Sequence, residues 1–377
     1  MHNRPAERRE LRRLLERGDS VQMFAPRRIG KTWLLGKIAE DMRDAGWVTI
    51  VVDVEGMRTE EEFLRALCRK LEEAGGHGQS ALTNLKQRLT QLVVDGWEGN
   101  PLHAIGRLDP RQFSEALIAA LNEQAHETLI LIDEIALFIA KRLAQDAEGT
   151  SAFLYHLRRL RQDYRKVRWL LTGSIGLDVV ARRAGLQGAL VDLTPFPLDP
   201  FGDQAARSYL DHLCAANAVP KPFALDDAGF AHLARELGWL APFYLQLVAD
   251  HIAPSGPHDG DRPTAQVADV DRAFDDLLRR EYRGMFAPFE EHIEKNFPTP
   301  EARRLRLILS ACCESADGET EATLLAHLQA KELAATPREL MNLLTALANA
   351  GFLSEDGDRW RFRSGLLRRY WRRYLRE

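Results

Sequence analysis

The stretch that decides the fold is Val21–Ile38, which is VQMFAPRRIGKTWLLGKI. Its first part is a short apolar strand pattern, and its last part has apolar residues at helical spacing. Between them, Gly30, Lys31 and Thr32 end the phosphate-loop pattern G-x-x-x-x-G-K-[ST], but Ala25 stands where that pattern has its first glycine. Such a loop directs backbone N–H groups at an anion, at the positive end of the following helix. The stretch therefore predicts a strand, a phosphate-holding loop and a helix.

The loop residues have different expected roles. Those predicted to contact the nucleotide are Ala25, Pro26, Arg27, Arg28, Ile29, Gly30, Lys31 and Thr32. Gly30 stands where the backbone needs a positive φ or a close approach, whereas Ala25 lies at the strand end, where a methyl group is tolerated. Lys31 is predicted to reach the β- and γ-phosphates, and the Thr32 hydroxyl to bind Mg²⁺. Arg27 and Arg28 are expected to contact phosphate or to pair with acids of the lid or of a neighbouring molecule, although most single surface arginines do neither. The alternative for the whole loop is a chance Gly-Lys-Thr at a helix start.

A second motif, TLILIDE at residues 128–134, is an apolar strand that ends in two acids. A carboxylate at Asp133 can hold the Mg²⁺ shell, and Glu134 beside it can polarise an attacking water. The alternative is a buried strand whose end carries only solvated acids. The next strand pattern, VRWLLTG at 167–173, is followed by Ser174, which is favoured over Thr172 as a polar contact to the γ-phosphate or the water. An ordinary strand-to-loop cap is the alternative there.

The order of patterns along the chain predicts three parts. Strands alternate with helices up to about residue 195, which is typical of an α/β domain with a parallel sheet, although residues 74–110 give no clear pattern. After a Pro-rich connector at 193–202, helices dominate. The end has three helix patterns, a hairpin at Asp356-Gly357 and a basic helix, an order that predicts a winged helix. The expected domains are 1–200, 201–297 and 298–377.

Composition excludes several classes of protein. The chain has 377 residues, of which 45% are hydrophobic and 28% charged, and its formal net charge is -4, so no global positive field points to nucleic acid. The four cysteines lack metal-ligand spacing. The charged start MHNRPAERRELRRLLERGD is not a secretory signal, and no apolar run is long enough to cross a membrane. A cytoplasmic protein with reduced cysteines is therefore predicted.

Several segments together resemble a known family. FAPRRIGKTWLL, VVDVEG, LILIDEIALFI, LLTGSIGL and LGWLAPFYLQLVADHI occur in this order, and ANAGFLSEDGDRWRFRSGLLRRYWRRYL ends the chain. The set is similar to the archaeal-type ATPases of the AAA+/STAND group of P-loop NTPases. The resemblance implies ATP as the nucleotide, Lys31 and Thr32 as Walker A, and Asp133 with Glu134 as Walker B. It further implies Ser174 as sensor 1 and a helical lid that brings Pro242 near the nucleotide.

Three hypotheses for function follow. The first is an ATP- and Mg²⁺-dependent regulatory switch whose nucleotide state controls self-assembly or the binding of a protein partner. The second is a DNA-associated ATPase, such as a loader or a mobile-element or defence protein, with non-specific DNA contact through the C-terminal arginines. The third keeps ATP as a structural ligand only. Arg182 and Arg183 are candidates for an arginine supplied in trans, although a solvated pair is the commoner case.

Overall fold

The structure is a computed structural model, and it describes residues 4–74, 76–92, 101–173, 176–259 and 261–376. Contacts between residues divide the chain into two compact units. We call residues 4–25 and 31–198 the core unit, and residues 26–30 and 199–376 the helical unit. The phosphate loop thus supplies five residues to the contacts of the helical unit, although it connects two elements of the core unit along the chain.

The core unit alternates strands and helices, as the sequence predicts. Its elements are α1 (Pro5–Arg17), β1 (Ser20–Phe24), α2 (Lys31–Asp44), β2 (Val48–Asp53), α3 (Glu60–Glu73), α4 (Gly76–Leu92), α5 (Pro101–Ala104), α6 (Pro110–Asn122), β3 (Thr128–Asp133), α7 (Ile135–Gln145), α8 (Ala147–Asp163), β4 (Val167–Thr172), α9 (Leu177–Arg183), a 3₁₀ turn (Gln187–Leu190) and β5 (Leu193–Pro197). A capping box is present at the start of α3, where the Thr59 hydroxyl accepts from the Glu62 backbone N–H.

The five strands form one parallel sheet in the order β2-β3-β4-β1-β5. Every residue of β3 is buried, which explains why TLILID is an almost continuous apolar run rather than an alternating one. In a parallel sheet all carboxyl ends lie at one edge, so the ends of β1, β3 and β4 are neighbours there. That edge is where α/β folds of this kind bind ligands. The predicted α/β P-loop fold with a parallel-sheet core is confirmed.

Two parts of the core unit differ from the sequence expectation. The connector predicted at 193–202 begins with a fifth strand, β5, which pairs with β1 along its whole length. Pro195 and Pro197 hid this strand, but β5 is at the edge of the sheet, where a residue without an N–H is tolerated. The unassigned region 74–110 contains α4, whose buried Ala81, Leu85 and Leu89 repeat every four residues.

The helical unit contains the remaining elements. They are α10 (Asp203–Ala215), β6 (Ala224–Leu225), α11 (Asp227–Leu237), α12 (Pro242–Ala249), β7 (His258–Asp259), β8 (Arg262–Ala265), α13 (Val267–Leu277), a 3₁₀ turn (Arg280–Met285), α14 (Ala287–Asn296), α15 (Thr299–Glu314), β9 (Glu319–Thr320), α16 (Glu321–Ala330), α17 (Pro337–Asn349), β10 (Leu353–Asp356), β11 (Arg359–Phe362) and α18 (Gly365–Tyr374). Helices dominate it, and the short strands β6, β7 and β8 form a small second sheet that the sequence did not indicate.

The C-terminal part has three helices followed by a hairpin. β10 and β11 pair around the turn after Asp356, and β9 adds a third strand to β11. This order of elements is consistent with the predicted winged helix. The last helix presents Tyr370 and Trp371 to the interior, where Tyr370 stacks on Phe286 with ring centroids 4.4 Å apart. These aromatic residues are therefore part of the core.

Two further expectations concern the cysteines and the membrane. Cys68, Cys214, Cys312 and Cys313 are all buried and unbridged, as the sequence analysis expects. Among the described residues, every helix is too short or too polar to traverse a lipid bilayer.

Candidate functional site

The loop after β1 combines two residues with left-handed backbone conformations. Arg28 has φ +69° and Gly30 has φ +93°. Glycine adopts the conformation at position 30 without steric cost, and two such residues in a short loop let neighbouring N–H groups converge. Ala25 has no positive φ and is 8% exposed, so the missing first glycine is not required by the backbone conformation. The departure from the phosphate-loop pattern at Ala25 therefore leaves the loop geometry intact.

The Lys31 ammonium is buried at the carboxyl edge of the sheet. Lys31 is the first residue of α2, and its Nζ donates to the carbonyl oxygens of Ala25 at 3.1 Å and of Gly173 at 2.9 Å. Ala25 follows β1 and Gly173 follows β4, so the ammonium lies beside the ends of two neighbouring strands. The residue is 7% exposed. A buried positive charge at this edge provides a fixed partner for an anion.

The Thr32 hydroxyl lies against the acid at the end of β3. Thr32 Oγ1 donates to Asp133 Oδ2 at 2.8 Å, and Asp133 Oδ1 accepts from the Glu134 backbone N–H at 3.0 Å. Burial raises the pKa of the Asp133 carboxyl, and the charge of Glu134 raises it further, whereas the Thr32 hydrogen bond and Lys31 oppose that rise. The structure thus brings together the two residues that the sequence proposes as metal ligands.

These residues fit a magnesium ion that a nucleotide helps to hold. No group of three or more His, Cys, Asp and Glu side chains among the described residues is arranged to hold a metal alone. Mg²⁺ in nucleotide sites is commonly held by one or two protein oxygens, with phosphates and water completing the octahedron. A hydroxyl and a carboxylate 2.8 Å apart beside a buried ammonium provide that partial set.

Glu134 has an uncommon backbone conformation. Its φ is +58°, in the left-handed region that residues other than glycine seldom adopt, and it precedes the first residue of α7. Its side chain does not cap that helix. Conformations of this kind are found at sites where a side chain must have a fixed direction. The elbow between β3 and α7 therefore sets the direction of the acid predicted to activate water.

Two polar residues near this edge were missed or ranked low by the sequence analysis. Asp53 ends β2 in register with Asp133, and its Oδ1 accepts from the Glu55 N–H at 2.8 Å. The sequence signal that could have identified Asp53 is its position as an acid at the end of the strand VTIVVD. Thr172 ends β4, is 2% exposed, and its buried hydroxyl has no hydrogen-bond partner among the described residues. Ser174, the predicted sensor, lies outside the described residues, so it stays a prediction.

Residues 26–30, the middle of the loop, make their contacts within the helical unit. The Arg28 guanidinium carbon lies 4.6 Å from the ring centroid of Phe243 and 5.8 Å from that of Phe289. Burial and the neighbouring charge of Arg27 lower the Arg28 pKa. Arg27 Nη1 lies 2.5 Å from Nδ1 of the buried His292. The partners that the structure shows for the two arginines are a histidine and two aromatic rings, and a contact of either arginine with phosphate stays a prediction.

Pro242 and Gly351 also contact this loop segment. Pro242 is the first residue of α12, and its Cγ lies 3.9 Å from the position that a Cβ on Gly30 would take. A Cβ on Gly351, which has φ +85°, would lie 3.3 Å from Pro26 Cβ. The start of α12 and the segment that follows α17 therefore both lie close to the loop. Arg182 and Arg183 lie in the last turn of α9, and their role as arginines supplied in trans stays a prediction.

Comparisons with known proteins cover the part of the chain that contains this site. A family model described as an AAA domain matches residues 16–180, which include the loop, Lys31, Thr32, Asp133 and Glu134. A search with the sequence found no significant match among curated proteins. Among solved structures, a Walker-type ATPase of Pyrococcus abyssi is similar, with a TM-score of 0.67, 18% identity, and coverage of 99% of this chain and 96% of that one.

A second solved structure is the ORC2 protein of Aeropyrum pernix in complexes with ADPNP and ADP. Its TM-score is 0.51 at 13% identity, with coverage of 95% of this chain and 88% of that one. At these identities the likeness shows the fold. Together with the family model and the geometry of the loop, it shows that this chain carries an AAA domain of the P-loop ATPases, in a fold of the archaeal Walker type.

Proposed function

We propose that this protein is an ATP-dependent regulatory switch, which binds ATP with Mg²⁺, hydrolyses it, and transmits its nucleotide state to a protein partner or to further copies of the chain. The observation that supports a switch is the contact of Arg28 with Phe243 and Phe289. The residue directly precedes the anion-holding end of the loop, and its guanidinium lies on rings of the helical unit. A shift of the loop on phosphate binding would change that contact.

The residues of the site divide the chemical work. The N–H groups of residues 27–30 and the Lys31 ammonium hold the β- and γ-phosphates. Thr32 and Asp133 hold Mg²⁺, which neutralises charge on those phosphates when bound. Glu134 orients and polarises the attacking water, while Ser174 or Thr172 at the end of β4 donates to the γ-phosphate or to that water. The resemblance to archaeal-type ATPases favours ATP over GTP.

Removal of one aromatic ring tests the transmission step. In wild-type protein we expect ATP to slow backbone hydrogen exchange in α12 and α14. Phe243→Leu removes the ring under Arg28 but retains apolar volume. The variant should therefore lose roughly 0.5–2 kcal/mol of cation–π stabilisation. We expect the ATP-dependent protection of α12 and α14 to fall by at least half, while ATP affinity changes by less than about tenfold.

Phe230→Leu is the matched control, since Phe230 lies under another arginine of the same unit, with 4.3 Å from the Arg207 guanidinium carbon to its ring centroid. Full ATP-dependent protection in Phe243→Leu would contradict a switch that operates through this contact. Equal loss in both variants would indicate general destabilisation of the helical unit.

The raised pKa of Asp133 gives a second test. A protonated carboxyl does not ligate Mg²⁺, and a raised pKa means that protonation begins at a higher pH than for an ordinary aspartate. As pH falls, Mg²⁺-dependent ATP affinity should therefore be lost before the exposed carboxylates titrate. We expect Asp133→Asn to abolish both the Mg²⁺ requirement and this pH dependence in a titration with a fluorescent ATP analogue.

Binding of the same analogue in EDTA, measured over the same pH range, is the control for effects of pH on the phosphates. An Asp133→Asn variant that still shows the wild-type Mg²⁺ dependence would assign the metal to other residues, with Asp53 the next candidate because it lies in register with Asp133.

Contact with DNA is the second candidate, and the C-terminal arginines give it less support than their number suggests. Arg376 pairs with Glu314 at 2.9 Å, and Arg361 with Asp356 at 3.0 Å. Arg369 pairs with Glu236. ATP turnover that duplex DNA raises, with salt-sensitive DNA binding, would favour this candidate over the switch.

A further inference from the structure

A cavity in the helical unit has an unusual charge. It has a volume of about 420 Å³ and lies where the end of α11, the β10–β11 hairpin and the start of α18 meet. The arginines that line it are Arg235, Arg361, Arg363, Arg368 and Arg369. Glu236 and Asp317 are the carboxylates in the same lining, so positive side chains exceed negative ones by three. Five guanidinium groups around one small cavity repel one another unless anions lie among them.

Backbone contacts hold two of these arginines in place. Arg363 Nε donates to the Leu353 carbonyl oxygen at 2.8 Å, and the guanidinium carbon lies 5.5 Å from the centroid of the Trp239 ring. Arg368 Nη1 donates to the Cys313 carbonyl oxygen at 3.3 Å. Burial lowers the pKa of both groups, so their positive charges cost free energy in this position. An anion in the cavity would offset that cost.

The acids near the cavity balance the other arginines only in part. Arg361 pairs with Asp356 at 3.0 Å. Glu236 is shared, because it pairs with Arg369 and lies 3.6 Å from Arg235. Gly365, which begins the ten-residue helix α18, also lines the cavity. The first turn of α18 therefore borders the same space as the arginines, and the Ser364 hydroxyl accepts from the Leu367 N–H at that helix start. A side chain at Gly365 would collide with the Glu236 carbonyl oxygen, 2.2 Å from its Cβ position, so the close approach of these elements requires glycine.

We propose that this cavity is a binding site for a small ligand with two or more phosphate groups. Arginine forks match phosphate oxygens in bidentate geometry, and 420 Å³ lies within the usual range for small-molecule sites. The cavity is much too small for a DNA duplex. Its lining joins the turn after α11, where Gly238 has φ +66°, to the hairpin and to α18, so a bound ligand would fix these elements relative to one another. The proposal does not depend on hydrolysis at Lys31.

Inorganic pyrophosphate is a suitable probe, since it carries two phosphate groups and little else. The phosphate loop would bind it too, so the titration uses Lys31→Met, in full-length protein, by isothermal titration calorimetry. We expect one site to remain. Replacing Arg361 and Arg368 together with Gln should weaken that site by roughly tenfold or more, because each removes a charge-assisted hydrogen bond. Arg338→Gln removes the same charge outside the cavity and should leave the affinity unchanged.

Three results would overturn the proposal. They are the loss of pyrophosphate binding in Lys31→Met alone, full pyrophosphate binding in the double variant, and an equal loss of affinity in Arg338→Gln. A labelled DNA duplex that competes through Arg361 and Arg368, and binds more tightly than pyrophosphate, would instead assign these arginines to nucleic acid. If circular dichroism shows that the double variant does not fold, the pyrophosphate titration is repeated on Arg235→Gln. Weaker binding in that variant supports the proposal, and unchanged binding contradicts it. The Arg235 side chain is 68% exposed, so it can be replaced without disturbing the interior.

Discussion

Replacement of Glu134 with Gln is expected to reduce steady-state ATP turnover by roughly 10²–10⁴-fold, the usual contribution of general acid–base catalysis. The amide keeps the size of the carboxylate, so the elbow at φ +58° and the start of α7 should persist. It cannot polarise an attacking water as a base. ATP affinity should therefore change by no more than a few-fold, and the variant should accumulate in the ATP-bound state. Turnover and equilibrium binding, measured on the same preparation with and without duplex DNA, check this expectation.

The control for this experiment is Glu72→Gln, which removes an exposed carboxylate from α3. Turnover in Glu134→Gln that equals the wild-type rate would remove the catalytic role of Glu134 and support ATP as a structural ligand. Turnover that DNA raises and the mutation abolishes would favour the DNA-associated ATPase. Slow turnover that DNA does not affect, but that the mutation abolishes, is what a switch awaiting a protein partner should show.

Replacement of Lys31 with Met is expected to weaken ATP binding by roughly ten- to a hundredfold, because a hydrogen bond to a charged group contributes about 1.5–3 kcal/mol. Met keeps the length of the side chain without the ammonium. In its absence the carbonyl oxygens of Ala25 and Gly173 lose a shared donor, so the loop should also be less well ordered. Titration with a fluorescent ATP analogue measures the affinity, and thermal unfolding with and without ATP gives an independent value.

Lys37→Met is the matched control, since Lys37 is on the same helix and pairs with Glu40 on its surface. We expect its ATP affinity to equal that of the wild type. If Lys31→Met binds ATP as tightly as the wild type, the phosphate loop is not the nucleotide site, and every role assigned to Thr32 and Asp133 would need revision.

The core of the fold could be predicted from local sequence patterns. Continuous apolar runs such as TLILID identify strands buried on both faces, and the alternation of strands with helices implies a parallel sheet. The expectation of an archaeal-type P-loop ATPase fold is confirmed by the family model and by the solved structures. β5 escaped because Pro195 and Pro197 oppose strand structure locally. Only its position at the edge of the sheet, a tertiary property, makes those residues acceptable.

The pairing of Thr32 with Asp133 was also within reach of the sequence. The two residues are about a hundred positions apart, but each follows or ends a strand of the same parallel sheet, and the carboxyl ends of such strands lie at one edge. The sequence alone could not assign contact partners to Arg27 and Arg28. Their partners, His292 and Phe243, are more than two hundred residues away, and no local pattern links them.

The sequence by itself determined the elements of the candidate site: a strand, a loop ending in Gly-Lys-Thr, and a second strand ending in Asp133 and Glu134. These follow from short-range rules, since backbone conformation and strand burial are set largely by neighbouring residues. The tertiary structure alone decided which arginines of the loop contact the helical unit and which arginines of the C-terminal segment surround a cavity. Such choices depend on burial and on distances between residues far apart in the chain, and side-chain type does not encode them.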